Sequence, residues 1–218
     1  MRENTALAAE AANLSAALES VTEAGYDRPT RCPPWTVRAL LAHVGMATDR
    51  VILMLAEPAP PTADTDAAGY YRPDVRFSPA TNSERIDGAV SAAARAGSGA
   101  ALAARFGRTW RDAHAAVARE DPDRVVRTRH GDAMRLADFM VTRVVELVVH
   151  GLDLADALDR PPWTDGGALA VVTGLLVPTG SWTGDPMILV RAATGRAGDD
   201  GTAAGRLRAA GVTWLALG

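Results

Sequence analysis

The chain has 218 residues and a formal net charge of -3, long enough for one substantial core and without the basic excess that a nucleic-acid partner requires. All 23 basic side chains are arginine, which excludes Schiff-base chemistry and a pyridoxal phosphate linkage at lysine. Cys32 is the only cysteine, so an internal disulfide, a CxxC redox pair and a cysteine-based zinc cluster are excluded, and any metal must take histidine and carboxylate ligands.

The N-terminal stretch MRENTALAAEAANLSAALES is amphipathic and lacks the charged segment and apolar core of an export signal. No apolar run reaches the roughly 18 residues that a membrane span needs, and the expectation is a cytoplasmic protein. Residues 5–24 read as a first helix, with Leu7, Leu14, Leu18 and Val21 at helical spacing and Gly25 placed to end it. In the linker YDRPTRCPPW, Cys32 reads as a small packing residue before Pro33 and Pro34. Thr36 is a suitable N-cap for a second helix running to about residue 56. His43 lies in its middle on a mainly apolar face with Ala39, Leu40, Met46 and Ala47, where, taken alone, it reads as a hydrogen-bonded core histidine.

Residues 57–80 hold five prolines and few aliphatic side chains, so they form a long loop of the kind that often serves as a lid. A third helical region starts near Asn82 or Ser83 and runs to about Arg119, broken or kinked at Gly97-Ser98-Gly99. His114 within it has the polar neighbours Arg111, Asp112 and Arg119 and reads as an exposed or capping group. The segment RVVRTRHGDAMRL predicts a short hairpin turning at His130-Gly131-Asp132. A fourth helix spans Leu136 to Leu158 and stops before Pro161-Pro162. Four such segments predict a mainly α protein, a four-helix bundle over residues 1–160. Residues 161–218 are punctuated by Gly and Pro; ALAVVTGLL reads as a helix and MILVRAATGR and VTWLALG as short strands, giving a small C-terminal α/β appendage packed on the bundle.

The chemistry concentrates in RVVELVVHGLDLADALDR, residues 143–160. Glu146 and His150, four residues apart, share one helix face and can grip a single metal ion together. Arg143 and Asp153 flank them within an arc of roughly 80°, while Val144, Val145, Leu147, Val148, Val149 and Leu152 cover the rest and predict a largely buried helix. The same pattern fits a narrow solvated stripe closed by an Arg143–Glu146 ion pair. Spacing leaves both open, because Glu-x-x-x-His is common in helices and lacks the second metal-binding His of HExxH.

CPPWTVRALLAHVG at residues 32–45 and MRLADFMVTRVVELVVHGLDLADAL at residues 134–158 together resemble the mycothiol-dependent maleylpyruvate isomerase family, part of the DinB-like group of metal-binding four-helix bundles. A Trp-Thr run leading into Leu-x-x-His is matched about 100 residues later by Arg-x-x-Glu-x-x-x-His-x-x-Asp. The resemblance implies a divalent metal, of zinc type, on His43, Glu146 and His150 with one position open. It implies catalytic roles for Arg143 and for Asp153, the latter orienting a ligand or a bound thiol. Mycothiol is the implied thiol, activated for attack on a small electrophile to give isomerisation or thiol transfer. Arg72 and Arg76 in the long loop, and Arg191 and Arg196 in the tail, are candidates for binding a substrate carboxylate. Family members carry a larger C-terminal α/β domain than the stretch 161–218 provides. The expected partners are a low-molecular-weight thiol and an electrophile, without nucleic acid or membrane, for a monomer or homodimer. A metal-dependent hydrolase and a non-catalytic binding or regulatory bundle that keeps the metal pocket are the alternatives.

Overall fold

The first helix, α1 (Arg2–Leu18), is shorter than its apolar spacing suggests. Thr22 accepts a hydrogen bond from the Gly25 N–H and opens a separate turn, α2 (Glu23–Tyr26), so Gly25 lies inside a turn instead of closing a helix. In this computed structural model, which describes residues 1–74, 78–197, 207–208, 210–213 and 215, α3 (Val37–Leu55) starts at Thr36, whose hydroxyl accepts from the Ala39 N–H as expected of an N-cap. The third helical region is two helices, α4 (Pro79–Ala96) and α5 (Gly99–Val117). Gly97 ends α4 at φ 77°, a conformation that glycine adopts without steric cost. Ser98 then caps α5 by accepting from the Ala101 N–H. The hairpin is β1 (Val125–Arg127) against β2 (Ala133–Arg135), antiparallel with Val126 opposite Met134. It delivers the chain into α6 (Leu136–Ala157), of which all but a thin strip is buried.

Four of these helices close a ring: α1 packs on α5, α5 on α3, α3 on α6 and α6 on α1. That ring is the expected bundle, with α4 as an additional helix against α3. Leu7, Leu14, Leu40, Leu41, Phe106 and Leu147 fill its interior, all nearly inaccessible to solvent, and each contributes roughly 1.5–3 kcal/mol by burial. At the start of α5 the backbone lies directly on the buried Tyr26 ring, where a Cβ added at Gly99 would come within 2.0 Å of Tyr26 Cδ2. Gly99→Ala is therefore expected to destabilise the protein by about 2 kcal/mol. Urea denaturation would measure it, and an unchanged midpoint would contradict this packing.

The proline-rich loop is tied down. The Asp64 and Thr65 N–H groups both donate to the Ala133 carbonyl, and Asp64 accepts from the Ala133 N–H. A single 3₁₀ turn at Gly69–Tyr71 buries Tyr70 and Tyr71, and the Tyr71 hydroxyl donates to the Thr142 carbonyl on α6. Beyond the bundle, Asp165 caps α7 (Gly166–Leu176), which leans on α1 and α6. The segment read as the strand MILVRAATGR is instead a helix, α8 (Pro186–Ala193), packed on α7. Asp185 accepts from the Met187 N–H, Pro186 presets the first helical φ, and Leu189, Val190 and Ala193 bury one face. Residue 214 and residues 216–218 of the second expected strand, VTWLALG, lie outside the described residues. Among the described residues the hairpin is the sheet, and no helix is long and apolar enough to cross a membrane.

Candidate metal centre

Because α3 and α6 are neighbours in the ring, His43 meets Glu146 across 103 positions of sequence. His43 Nε2 lies 3.3 Å from Glu146 Oε2, and His150 Nε2 lies 3.4 Å from the same oxygen. One donor atom from each of the three falls within 4.8 Å of the others. Both N···O separations are longer than the ~2.9 Å favoured by hydrogen bonds. They match the roughly 3.3 Å edge of a tetrahedron with ~2 Å metal–ligand bonds. Two imidazoles and a carboxylate, largely buried and with one donor atom each close to the other two, fit a divalent cation.

The surrounding groups fix the rings. Trp35, in the loop before α3, stacks on His43 with centroids 4.7 Å apart and meets His150 edge-on at 6.4 Å. On its other side, His150 Nδ1 lies 3.0 Å from Asp153 Oδ2. Burial pulls the His43 imidazole below its ordinary value. Burial also acts to raise the Glu146 carboxyl, but hydrogen bonds from His150 and His43 and the charge of Arg143 hold it well below the usual carboxylate range. For His150 the downward pull of desolvation is outweighed by Asp153, Cys32 and Glu146, which raise it well above its ordinary value. Desolvation of Asp153 is likewise outweighed, here by His150 and Arg196, which lower it.

A cavity of about 340 Å³ adjoins this group, lined by Arg31, Cys32, Trp35, Asn82, Arg85 and Arg196 among others. It shares with the centre the Trp35 that stacks on His43 and the Cys32 whose Sγ is 3.4 Å from Asp153 Oδ2. Of the arginines singled out from the sequence, Arg196 lines the cavity and is held by Asp153. Arg72 pairs with Asp74 and Asp132, and Arg191 forks onto Asp156. Arg76 lies outside the described residues. Arg143 is buried between Phe139 and Tyr70, donating to Thr142 Oγ1, the Ala47 carbonyl and the Tyr70 hydroxyl. It braces the loop against α6 and does not line the cavity. Sequence reasoning gave no role in the site to Arg31, Trp35 or Arg85. Trp35 had a signal, its place beside the Thr36 cap, whereas two arginines among 23 had none.

The chain matches the family described as Mycothiol maleylpyruvate isomerase N-terminal domain over residues 7–155. Among curated proteins none matches. Among solved structures, a mycothiol-dependent maleylpyruvate isomerase is similar at 17% identity with a TM-score of 0.57, covering 90% of this chain and 89% of that chain. A histidine-to-alanine mutant of a mycothiol-dependent maleylpyruvate isomerase is similar at 16% identity and a TM-score of 0.56, with 90% and 89% covered. Both alignments thus extend over nearly the whole length of the two chains compared. The match across α1, α3, α5 and most of α6, including all three converging donors, places the chain in the mycothiol maleylpyruvate isomerase N-terminal domain family.

Proposed function

We infer that the protein is a metal-dependent enzyme that activates a low-molecular-weight thiol, mycothiol by family, for attack on an electrophilic small molecule. The observation that carries this reading is the convergence of His43 Nε2, Glu146 Oε2 and His150 Nε2 at spacings suited to one ion. A divalent cation of zinc type held there stabilises thiolate over thiol at neutral pH. The chain's own residues supply the rest. Trp35 walls the His43 ring from water. Asp153 fixes the His150 ring and keeps its Nε2 directed to Glu146.

Arg31, Arg85 and Arg196 line the cavity, and guanidinium groups there are suited to hold a substrate carboxylate. Reversible addition of the thiol to a conjugated double bond permits rotation and hence isomerisation; displacement of a leaving group gives thiol transfer. The residues from 161 onward act, in this reading, as a separate unit that closes the site through Arg196. The test is metal analysis, cobalt substitution and titration with mycothiol, followed by assay of maleylpyruvate with and without the thiol. About one ion per chain, a thiol-dependent cobalt spectrum and thiol-dependent turnover are expected. Turnover without thiol would favour a hydrolase, and metal binding with neither spectral change nor turnover would favour a regulatory bundle.

A further inference from the structure

The His150 ring is gripped from the side facing away from Glu146. Its Nδ1 lies 3.0 Å from Asp153 Oδ2, and Asp153 is wholly buried. Arg196 meets that carboxylate with a fork: Nε donates to Oδ1 at 2.9 Å and one Nη to Oδ2 at 2.7 Å. The other Nη donates to the Thr194 carbonyl at 2.6 Å. Arg196 comes from the segment after α8, 43 positions beyond Asp153. Two further contacts lie nearby: Arg31 donates to the Gly195 carbonyl, and on α8 itself Arg191 forks onto Asp156.

A planar guanidinium that binds both carboxylate oxygens fixes the plane of the carboxylate as well as its charge. A carboxylate so fixed holds the imidazole with its proton on Nδ1 and its lone pair on Nε2, the atom that faces Glu146. Without Arg196, the buried Asp153 carboxylate keeps, among the described residues, the weaker approaches of Cys32 Sγ at 3.4 Å and Arg31 Nε at 3.9 Å beside His150, and its orientation is no longer set.

We propose that Arg196 is a positioning residue for the metal centre, acting through Asp153 on His150, so that docking of the segment after α8 completes the site that α3 and α6 begin. This rests on His43, Glu146 and His150 being the metal ligands. The experiment is zinc affinity, by competition with a chromophoric chelator, for the full chain and for Arg196→Met, Asp153→Asn, the double variant and Arg191→Met. Arg196→Met and Asp153→Asn are each expected to weaken zinc binding roughly 10- to 100-fold. The double variant should bind no more weakly than the weaker single variant, because the two residues act in series. Arg191→Met, which removes the pairing of α8 with Asp156 and leaves the Arg196–Asp153 fork in place, should keep the affinity within about twofold.

Circular dichroism checks that each variant is folded; if Arg196→Met is not, Arg196→Lys, which keeps the charge and loses the fork, is judged by the same criteria. Unchanged affinity in the Arg196 variant, additive losses in the double variant, or an equal loss in Arg191→Met would each overturn the proposal. Zinc lost in His150→Ala but retained in Arg196→Met would sink the positioning role alone. A wild-type protein that binds no zinc would sink the ligand assignment, and the positioning role with it.

Discussion

Alanine at His43 or at His150 is expected to remove the metal and, with it, all thiol-dependent turnover. Each change takes one of three donors from a group spanning 4.8 Å, and the remaining pair cannot define a site with one open position. The loss in affinity should exceed the roughly 10- to 100-fold expected of groups that only orient a ligand. Metal content after dialysis reads it directly. Thermal unfolding reads it independently of activity, because a ligand that binds only the folded state stabilises it by about 4 kcal/mol at a thousandfold excess over Kd. Zinc should raise the wild-type midpoint and leave both variants unmoved, and full occupancy in either would overturn the ligand set. Glu146→Gln separates a ligand from a general base. A ligand loses metal and turnover together, whereas a base slows proton transfer by roughly 10² to 10⁴ with the metal retained. That second outcome would direct attention to the other group of donors, Cys32, His150 and Asp153, whose atoms also fall within 4.8 Å.

The bundle was legible because local signals agreed with the tertiary result. The Thr36 cap, the apolar period of α3 and the near-continuous apolar cover of α6 each fix a helix without reference to its neighbours. The break at Gly97-Ser98 was legible for the same reason, but not that α5 joins the ring while α4 lies outside it, which depends on packing between helices. Ile188 and Val190 suggested a strand at MILVRAATGR, whereas Asp185-Pro186 carried the stronger helix-start signal. In the site, the Glu146–His150 spacing was visible on one helix. Its pairing with His43 was not, because no periodicity spans 103 residues, and only the resemblance supplied it. The roles of the arginines were hidden for a different reason: Arg196 and Arg191 are set apart by which aspartate each meets, Asp153 or Asp156, and the sequence does not show that pairing.

Glu10→Gln is expected to stabilise the protein at neutral and alkaline pH and to cost it about 1 kcal/mol or less near pH 4.5. Glu10 is fully buried where α1 meets α6 and the approach to α7. One carboxyl oxygen accepts from the Asp165 N–H at 2.6 Å and the other has no hydrogen-bond partner among the described residues. Desolvation raises its pKa from 4.5 to about 7, against the lowering effect of the Asp165 hydrogen bond. Between those values the folded chain holds a proton that the unfolded chain has released, so stability falls as pH rises. The contribution is fully present below about pH 4.5 and is lost by about pH 7. A displacement of this size corresponds to roughly 3 kcal/mol. Gln cannot ionise and keeps an acceptor for Asp165, but it places an amide N–H where the second oxygen lacks a partner. The net gain above pH 7 should therefore be roughly 2 to 3 kcal/mol. Denaturant unfolding of both proteins from pH 5 to 8, in chelator so that metal does not contribute, measures the difference between them. Other titrating groups, such as Asp138 with its burial-raised carboxyl, act alike in both proteins and cancel. Parallel stability curves, with no gap opening between pH 5 and 7, would mean that Glu10 is not buried as a proton-holding carboxyl.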